Sequence, residues 1–419
     1  MRRRSPWFLV SALLVGCVQN GMAPGTDEVG VSPPQLQSDR LLVNNDPAQL
    51  DARVQYRAKP LFIRMKETPG RQFAPPFKSD GMRLTLVAEV SPPVVDGHVV
   101  QANDVDIDGK TAVIAYNFAG DIFAGAVQVI DFTQPDRPRL ISEVLYRDAD
   151  VTSVLKHGEH VYVGMGSLDP ALQTPALLEE FLLGDTGLEP TSRWLGLPSW
   201  VVTDLGKDGE YVVASVGALH GGVAYIDRTG EQLTMDAFQA EEDIRGIGFP
   251  GASSMAAVCG SRPHLSLLQL PGLQRTLEHE VDGYNYPDAK GTIEVHDAIC
   301  YLGAGDGGFQ VRRPDGLLLA ALRHEAFSDV RANEMVTNAV SVQGSLGFVA
   351  AGALGVQVVD IAGARSWATG GGPDPSGLRV LGELDFAEGF SSNMVKCANN
   401  VLVVAAGSGG VELVTMQAR

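Results

Sequence analysis

The chain is poor in the residues that most enzyme signatures need. Its 419 residues include 4 cysteines and 8 histidines. It has no Cys-x-x-Cys pair, no His-Glu-x-x-His, no Gly-x-Ser-x-Gly elbow and no P-loop. These absences argue against a zinc or redox dithiol motif, a zincin, an α/β-hydrolase nucleophile and Walker-type nucleotide binding. Gly303-Ala304-Gly305-Asp306-Gly307-Gly308 is rich in glycine, but a turn between strands explains it better than a phosphate cradle. Asp306 also lacks the Asp-x-Asp-x-Asp-Gly spacing of a calcium loop. Beyond residue 17 the cysteines are Cys259, Cys300 and Cys397, each in a strand-like apolar stretch. An odd set cannot pair completely, so buried free thiols are expected. Positive charge is scarce: 32 Lys and Arg stand against 50 Asp and Glu, a net charge of -18. Neutralising phosphates takes basic patches, so the balance argues against nucleic-acid binding and favours divalent cations or basic partners. Past the N-terminus no apolar run approaches the roughly 20 residues that span a bilayer.

What is present begins with the first residues. Met1-Arg2-Arg3-Arg4 precedes a short apolar stretch, Trp7 to Val15, in the order of a signal peptide. Leu14-Val15-Gly16-Cys17 then resembles the lipobox of bacterial lipoproteins. The resemblance implies that residues 1–16 are removed, that the Cys17 thiol carries a diacylglycerol, and that its amine is acylated by a chain such as palmitate. Two or three acyl chains anchor firmly where one binds marginally. Val18, in place of the Asp that retains such proteins at the inner membrane, implies the outer membrane, facing the periplasm or the outside. An ordinary secretory signal is the alternative. Removal of Arg2, Arg3 and Arg4 takes the net charge to about -21. Residues 17–81, punctuated by Pro24, Pro33, Pro34, Pro47, Pro60, Pro69, Pro75 and Pro76, read as a tether. Two apolar pieces of it, Arg40 to Val43 and Leu61 to Ile63, are expected to dock on the body.

Residues 82–419 repeat a phrase. Gly125-Ala126-Val127-Gln128-Val129-Ile130-Asp131 returns as Gly355-Val356-Gln357-Val358-Val359-Asp360, with looser copies at Gly222 to Asp227 and Gly410 to Val414. Around the first copy, four β-rich runs between Asn103 and Val144 alternate with Gly- and Pro-bearing turns, which is a four-stranded meander. The turn Asp131-Phe132-Thr133-Gln134-Pro135-Asp136-Arg137-Pro138 after Val-Ile-Asp resembles the LVIVD-repeat family, whose units build β-propeller blades. The likeness is close in this unit, recognisable at 355–384 and degenerate elsewhere. Inner strands are expected to start near Asn103, Thr152, Thr203, Arg245, Gly291, Asn338 and Asn393, a mean spacing of about 48 residues. The reading is therefore an all-β, seven-bladed β-propeller. A different division of the unit at 244–290 gives six or eight blades, and a β-solenoid is the rival fold. The last unit has room for three strands, and Arg83 to Val90 reads like the missing fourth strand, so an N-terminal strand is expected to close the ring.

In such a ring the innermost strand of each blade lines a channel, which stacks residues from distant positions. Asn103, Asn338 and Asn393 fall on neighbouring blades, with Asp104 beside them and Glu294 deeper. Three amides and a carboxylate on one arc suit Ca²⁺, a sugar or a peptide backbone. Asn and Asp at strand starts also satisfy turn and inter-blade amides, and no metal is assigned. His220, Arg245, Arg262 and His264 are expected on the same face as a cationic patch. Loop Ser167 to Leu178 is expected to pack on the ring or meet a partner. The insertion Ala364 to Pro373 is expected to be flexible and carries Trp367 as either a partner anchor or the cover of a sheet edge. The leading functional reading is a non-enzymatic cell-envelope lipoprotein whose propeller binds a protein or glycan, without a cofactor. The alternatives are a Ca²⁺-dependent, lactonase-like hydrolase at the channel mouth and a lectin-like surface adhesin.

Overall fold

A computed structural model of the chain describes residues 36, 39–64, 82–217, 219–286, 289–324, 331–370, 377–386 and 390–418. Cys17 and the lipobox lie outside the described residues. Seven antiparallel sheets follow one another, which gives a seven-bladed β-propeller. The innermost strands are Gln101–Asp108, Ala149–His157, Val201–Asp208, Ile244–Gly251, Gly291–His296, Ala339–Gln343 and Met394–Ala398, for blades one to seven. Each begins within three residues of its expected start.

The blades form because their strands alternate with period two and are buried on both faces. In blade one Ala112, Ile114 and Tyr116 face blade seven, while Val113 and Ala115 face blade two. The same arrangement repeats around the ring, so each of the seven blade interfaces has its own apolar cluster. The glycine-rich stretch at 303–308 connects the second and third strands of blade five, and Gly308 sits at φ +81. A Cβ on Gly307 would lie 1.7 Å from the Asp282 carbonyl oxygen, so only glycine fits that approach.

The ring closes as expected from the sequence. Met82–Val90 pairs with Val411–Ala418 as the fourth strand of blade seven, in register from Val90↔Val411 to Met82↔Ala418. The tether's folded part runs around the outside. Leu41–Asn44 adds a fifth strand to blade one, Val54–Leu61 one to blade seven, and Ile63–Arg64 one to blade six. Arg40 holds this strap through a two-pronged contact with Glu179, 3.1 Å to each carboxylate oxygen, and lies over the Tyr146 ring.

Gln128 of the repeated phrase is fully buried and scaffolding. It accepts from Tyr116 (2.5 Å) and donates to Glu143 (2.8 Å), which Arg53 of the strap also binds at 2.9 Å. Of the two readings of the blade-six insertion, packing on the ring is the one the structure shows for Trp367. Ala362–Ala368 of the blade-six insertion is a short helix, and Trp367 packs half-buried against the cluster between blades five and six. Ala364, Trp367 and Ala368, at helical spacing after Ile361, all turn toward that cluster, which an open loop would not achieve. Cys259 and Cys300 are buried free thiols, and Cys397 is half-buried.

Candidate functional site

The channel along the ring axis has a volume of about 1540 Å³ and is lined by all seven innermost strands. Edges of these strands would leave backbone groups unpaired, and the polar residues singled out from the sequence meet that need. Asn103 donates to Val151 O, Thr152 to Val202 O, Thr203 to Ile244 O and Arg245 to Ala289 O. Thr292 donates to Asn338 O, Asn338 to Ser392 O and Asn393 to Ala102 O. These seven bonds, 2.5–3.1 Å, link every blade to the next and return to the start. In blades one to four the donor sits at a register shift, a β-bulge that turns its side chain toward the next blade. In blade five the donor is Thr292, one residue past the Gly291 read from the sequence.

Below this circle the channel carboxylates make a second set of links. Asp104, Asp106 and Asp108 accept from the backbone N–H groups of Val154 (3.0 Å), Lys156 (2.9 Å) and Gly158 (2.8 Å). Asp204 accepts from Ile247 N at 2.8 Å, and Glu294 from Val342 N at 2.9 Å. Ser341 donates to Glu294 and accepts from Cys397 N, which carries the series on to blade seven.

Two lysines that the sequence reading passed over supply the positive charge. Lys290, just ahead of the blade-five strand, reaches across the channel to donate to Asn103 O on blade one. Its ammonium faces Asp104 and Asp204, although burial lowers its pKa. Lys396 lies 3.4 Å from Glu294, and against the effect of burial that carboxylate, with Asp106 and Asp104, keeps its pKa raised. Burial raises the Asp104 pKa, opposed by Lys290. Burial and then the Asp104 charge push Asp204 up to about 7. The Asn103–Asp104 arc is therefore next to a lysine ammonium of the chain itself. Lysine is a third as frequent as arginine, yet Lys156, Lys207, Lys290 and Lys396 all lie at or in innermost strands, a bias visible in the sequence.

The remaining predicted residues do not meet as a free cationic patch. Arg245 pairs with Asp243 at 3.0 Å and stacks over Tyr284, with its guanidinium 5.0 Å from the ring centre. Arg262 pairs with Glu278 at 2.7 Å. His264 is buried and faces Glu241 at 2.6 Å. His220, on a tight turn at φ 60, is exposed, as is the paired Arg262.

Around the channel mouth, the loops of blades one to three carry apolar side chains that the ring does not cover. Ile122 is 45%, Leu168 60%, Trp200 44% and Leu219 61% exposed. Ile122, Leu168 and Leu219 lie between second and third strands and Trp200 in the connection between blades two and three, all on one face. Phe118 and Phe123 line the channel beside them. Asp150 accepts from Phe118 N and Ala124 N, both at 3.3 Å, and so holds both ends of the Ile122 loop. Burial pushes Asp150 up to about 7 despite those bonds.

These carboxyls give the protein an unusual pH dependence. Asp150 and Asp204 at about 7, and Glu412 pushed up to about 8 by burial and then Glu89, bind protons more tightly folded than unfolded. Their contribution to stability is full only below the ordinary carboxyl range and is lost progressively as pH rises from there through 7 to 8. Buried His324, held down to about 4, acts oppositely and costs stability as pH falls below its ordinary value of 6.5. The denaturation midpoint is expected to fall between pH 6 and pH 8 by on the order of 1 kcal/mol per raised carboxyl, because three raised carboxyls outweigh the one lowered histidine. Asp204→Asn flattens part of that slope. A midpoint rising steadily from pH 6.5 to 8 contradicts the assignment.

No protein-family model and no curated protein matches the chain, so the LVIVD likeness remains one of local sequence. Solved structures do match. The WD40 repeats of RRP9 superpose with a TM-score of 0.56 at 11% identity, over 81% of this chain and 98% of that one. A chain of a mitotic checkpoint complex gives 0.54 at 11% identity, over 84% of this chain and 98% of that one. At such identity the likeness shows the fold: this chain is a seven-bladed β-propeller resembling those built from WD40 repeats.

Proposed function

We propose that this chain is a lipid-anchored protein of the bacterial cell envelope whose propeller binds a protein partner over the channel mouth of blades one to three. The observation that carries the reading is the uncovered arc of Ile122, Leu168, Trp200 and Leu219 on one face. Exposed apolar residues scattered singly are ordinary, but several on neighbouring loops of one face support an interaction site. Trp200 is the natural anchor, because its large rigid side chain gains much contact area for little lost freedom. Aliphatic side chains outnumber aromatic ones in the arc, which favours a protein over a glycan. The acidity of the chain favours a partner with basic side chains around its apolar contact.

The calcium-dependent hydrolase reading has less support, since the Asn103, Asn338 and Asn393 amides each bond the next blade. The anchoring part of the proposal is supported by the order of charge, apolar run and Leu14-Val15-Gly16-Cys17 in the sequence.

Photo-crosslinking in living cells tests the site. A crosslinking residue in place of Leu168 or Leu219 is expected to capture one and the same protein. The same residue in place of Asp315, on the opposite face of blade five, captures none. Trp200→Ala is expected to reduce capture at Leu219 at least tenfold. Equal capture from both faces rules the arc out as the binding site.

A further inference from the structure

Away from the channel, blade four brings together three donors of different chemistry. Cys259 ends its second strand and His264 begins its third, directly opposite each other in register. Glu241 reaches them from the connection between blades three and four. One atom of each, a thiol sulfur, an imidazole nitrogen and a carboxylate oxygen, lies within 4.8 Å of the others. Cys259 is fully buried and His264 is 5% exposed, so the sheet fixes both. Entry is from the side of Arg275 and Glu278, which are 36% and 33% exposed.

We propose that Glu241, Cys259 and His264 form a transition-metal site, best suited to zinc. A nitrogen, oxygen and sulfur set of this kind matches zinc, whereas calcium and magnesium take oxygen donors. The imidazole is already oriented for it. Nδ1 faces the backbone carbonyl of Arg262, which fixes a proton there and turns Nε2 toward Glu241. A backbone carbonyl on the far nitrogen is the common way a metal-binding histidine is held. With both ring nitrogens facing acceptors, the position between Nε2 and the carboxylate must hold a cation, either a second proton or a metal ion.

Tetrahedral zinc with bonds of about 2.0–2.3 Å needs neighbouring donors about 3.3 Å apart. The 2.6 Å between Nε2 and Glu241 therefore opens slightly on binding. Ser266, whose hydroxyl is 3.4 Å from both carboxylate oxygens, or a water, completes the set. The competing cation is Arg275, 2.7 Å from Glu241, and Glu278 at 3.1 Å offers it another partner. Binding displaces the thiol proton and the second imidazole proton, so a doubly charged ion enters as two protons leave and the buried charge is unchanged.

The test uses the full chain without an affinity tag, in detergent, stripped with a chelator and titrated with Co²⁺ and then Zn²⁺. One ion per chain is expected, with the charge-transfer absorption of a thiolate–cobalt bond and about two protons released per ion by calorimetry in different buffers. Cys259→Ser abolishes the absorption. Arg275→Gln, which replaces no ligand but removes the cation held by Glu241, tightens zinc binding about tenfold by freeing the carboxylate. Absence of saturable binding, a thiolate band that survives Cys259→Ser, or unchanged affinity in Arg275→Gln overturns the proposal. If Cys259→Ser does not fold, the wild-type absorption and the Arg275→Gln affinity decide the question.

Discussion

Deletion of Met82–Val90 is expected to abolish the cooperative unfolding transition of the entire ring, although it removes nine residues at one edge. The strand sits between Val54–Leu61 and Val411–Ala418, so its loss leaves two sheet edges unpaired and takes the closing strand from blade seven. Leu84, Leu86, Val87 and Val90 within it are at most 3% exposed. Burial of four such side chains contributes roughly 6–12 kcal/mol, as much as the whole net stability of an ordinary domain, roughly 5–15 kcal/mol. Leu86→Pro should act in the same direction by removing an N–H from a central strand. Removing residues 39–64 makes the contrast. That variant loses the added outer strands together with buried Leu50 and the Arg40–Glu179 pair, but no strand of a four-stranded blade, and is expected to remain folded with a lower midpoint. Circular dichroism during heating distinguishes the two, and a Met82–Val90 deletion that keeps the wild-type transition would sink the closure mechanism.

Arg40→Ala should be the most damaging single substitution to a charged residue. The guanidinium makes three contacts with the Glu179 carboxylate, at 3.1, 3.1 and 3.2 Å, and a longer one with Asp148 at 3.5 Å. Both side chains are within 2% of complete burial. Truncation leaves Glu179 charged, buried and supported by the Ser192 hydroxyl instead of a cation. Breaking such a pair from one side costs about 3–5 kcal/mol, whereas replacing both partners with apolar residues of similar size is often neutral. Urea denaturation should therefore show a large loss for Arg40→Ala and recovery of most of it in Arg40→Met with Glu179→Leu. A loss below about 1 kcal/mol, the range of an exposed pair, means that the strap is not seated as described.

The fold was legible because its information is local. The unbroken apolar run from Ala112 to Tyr116 marks a strand buried on two faces, and the repeated Val-Gln-Val-Ile-Asp phrase marks the third strand of a blade. The likeness of Arg83 to Val90 to Arg139 to Val144 was enough to place the closing strand. Val54–Leu61 was missed for an equally physical reason. It lies at the outer edge of blade seven with six of its eight residues exposed, so nothing selects for an apolar pattern. The site was harder to read because its partners are set by the ring and not by the chain. Asp104 meets Val154, fifty residues on, and Lys290 meets Asn103 across the whole channel. Asn103, Asn338 and Asn393 were correctly placed on one arc, but only the structure shows that their amides bind the next blade. Cys259 and His264 are five residues apart and faced each other in any hairpin, yet Glu241 joins them through the turn between blades.

The strap also decides how the molecule takes force. A lipid on Cys17 would pull on the chain 23 residues before Arg40, so tension reaches the ring first at blade one. From there the path runs backward along the perimeter, over blade seven and then blade six, before the closing strand Met82–Val90 is reached. With the proposed anchor and partner in place, a tug between them would have to peel Arg40 and three outer strands in turn before it could open the circle. An anchored ring would thus be moored by a line wound around it, with the seam at the protected end of that line.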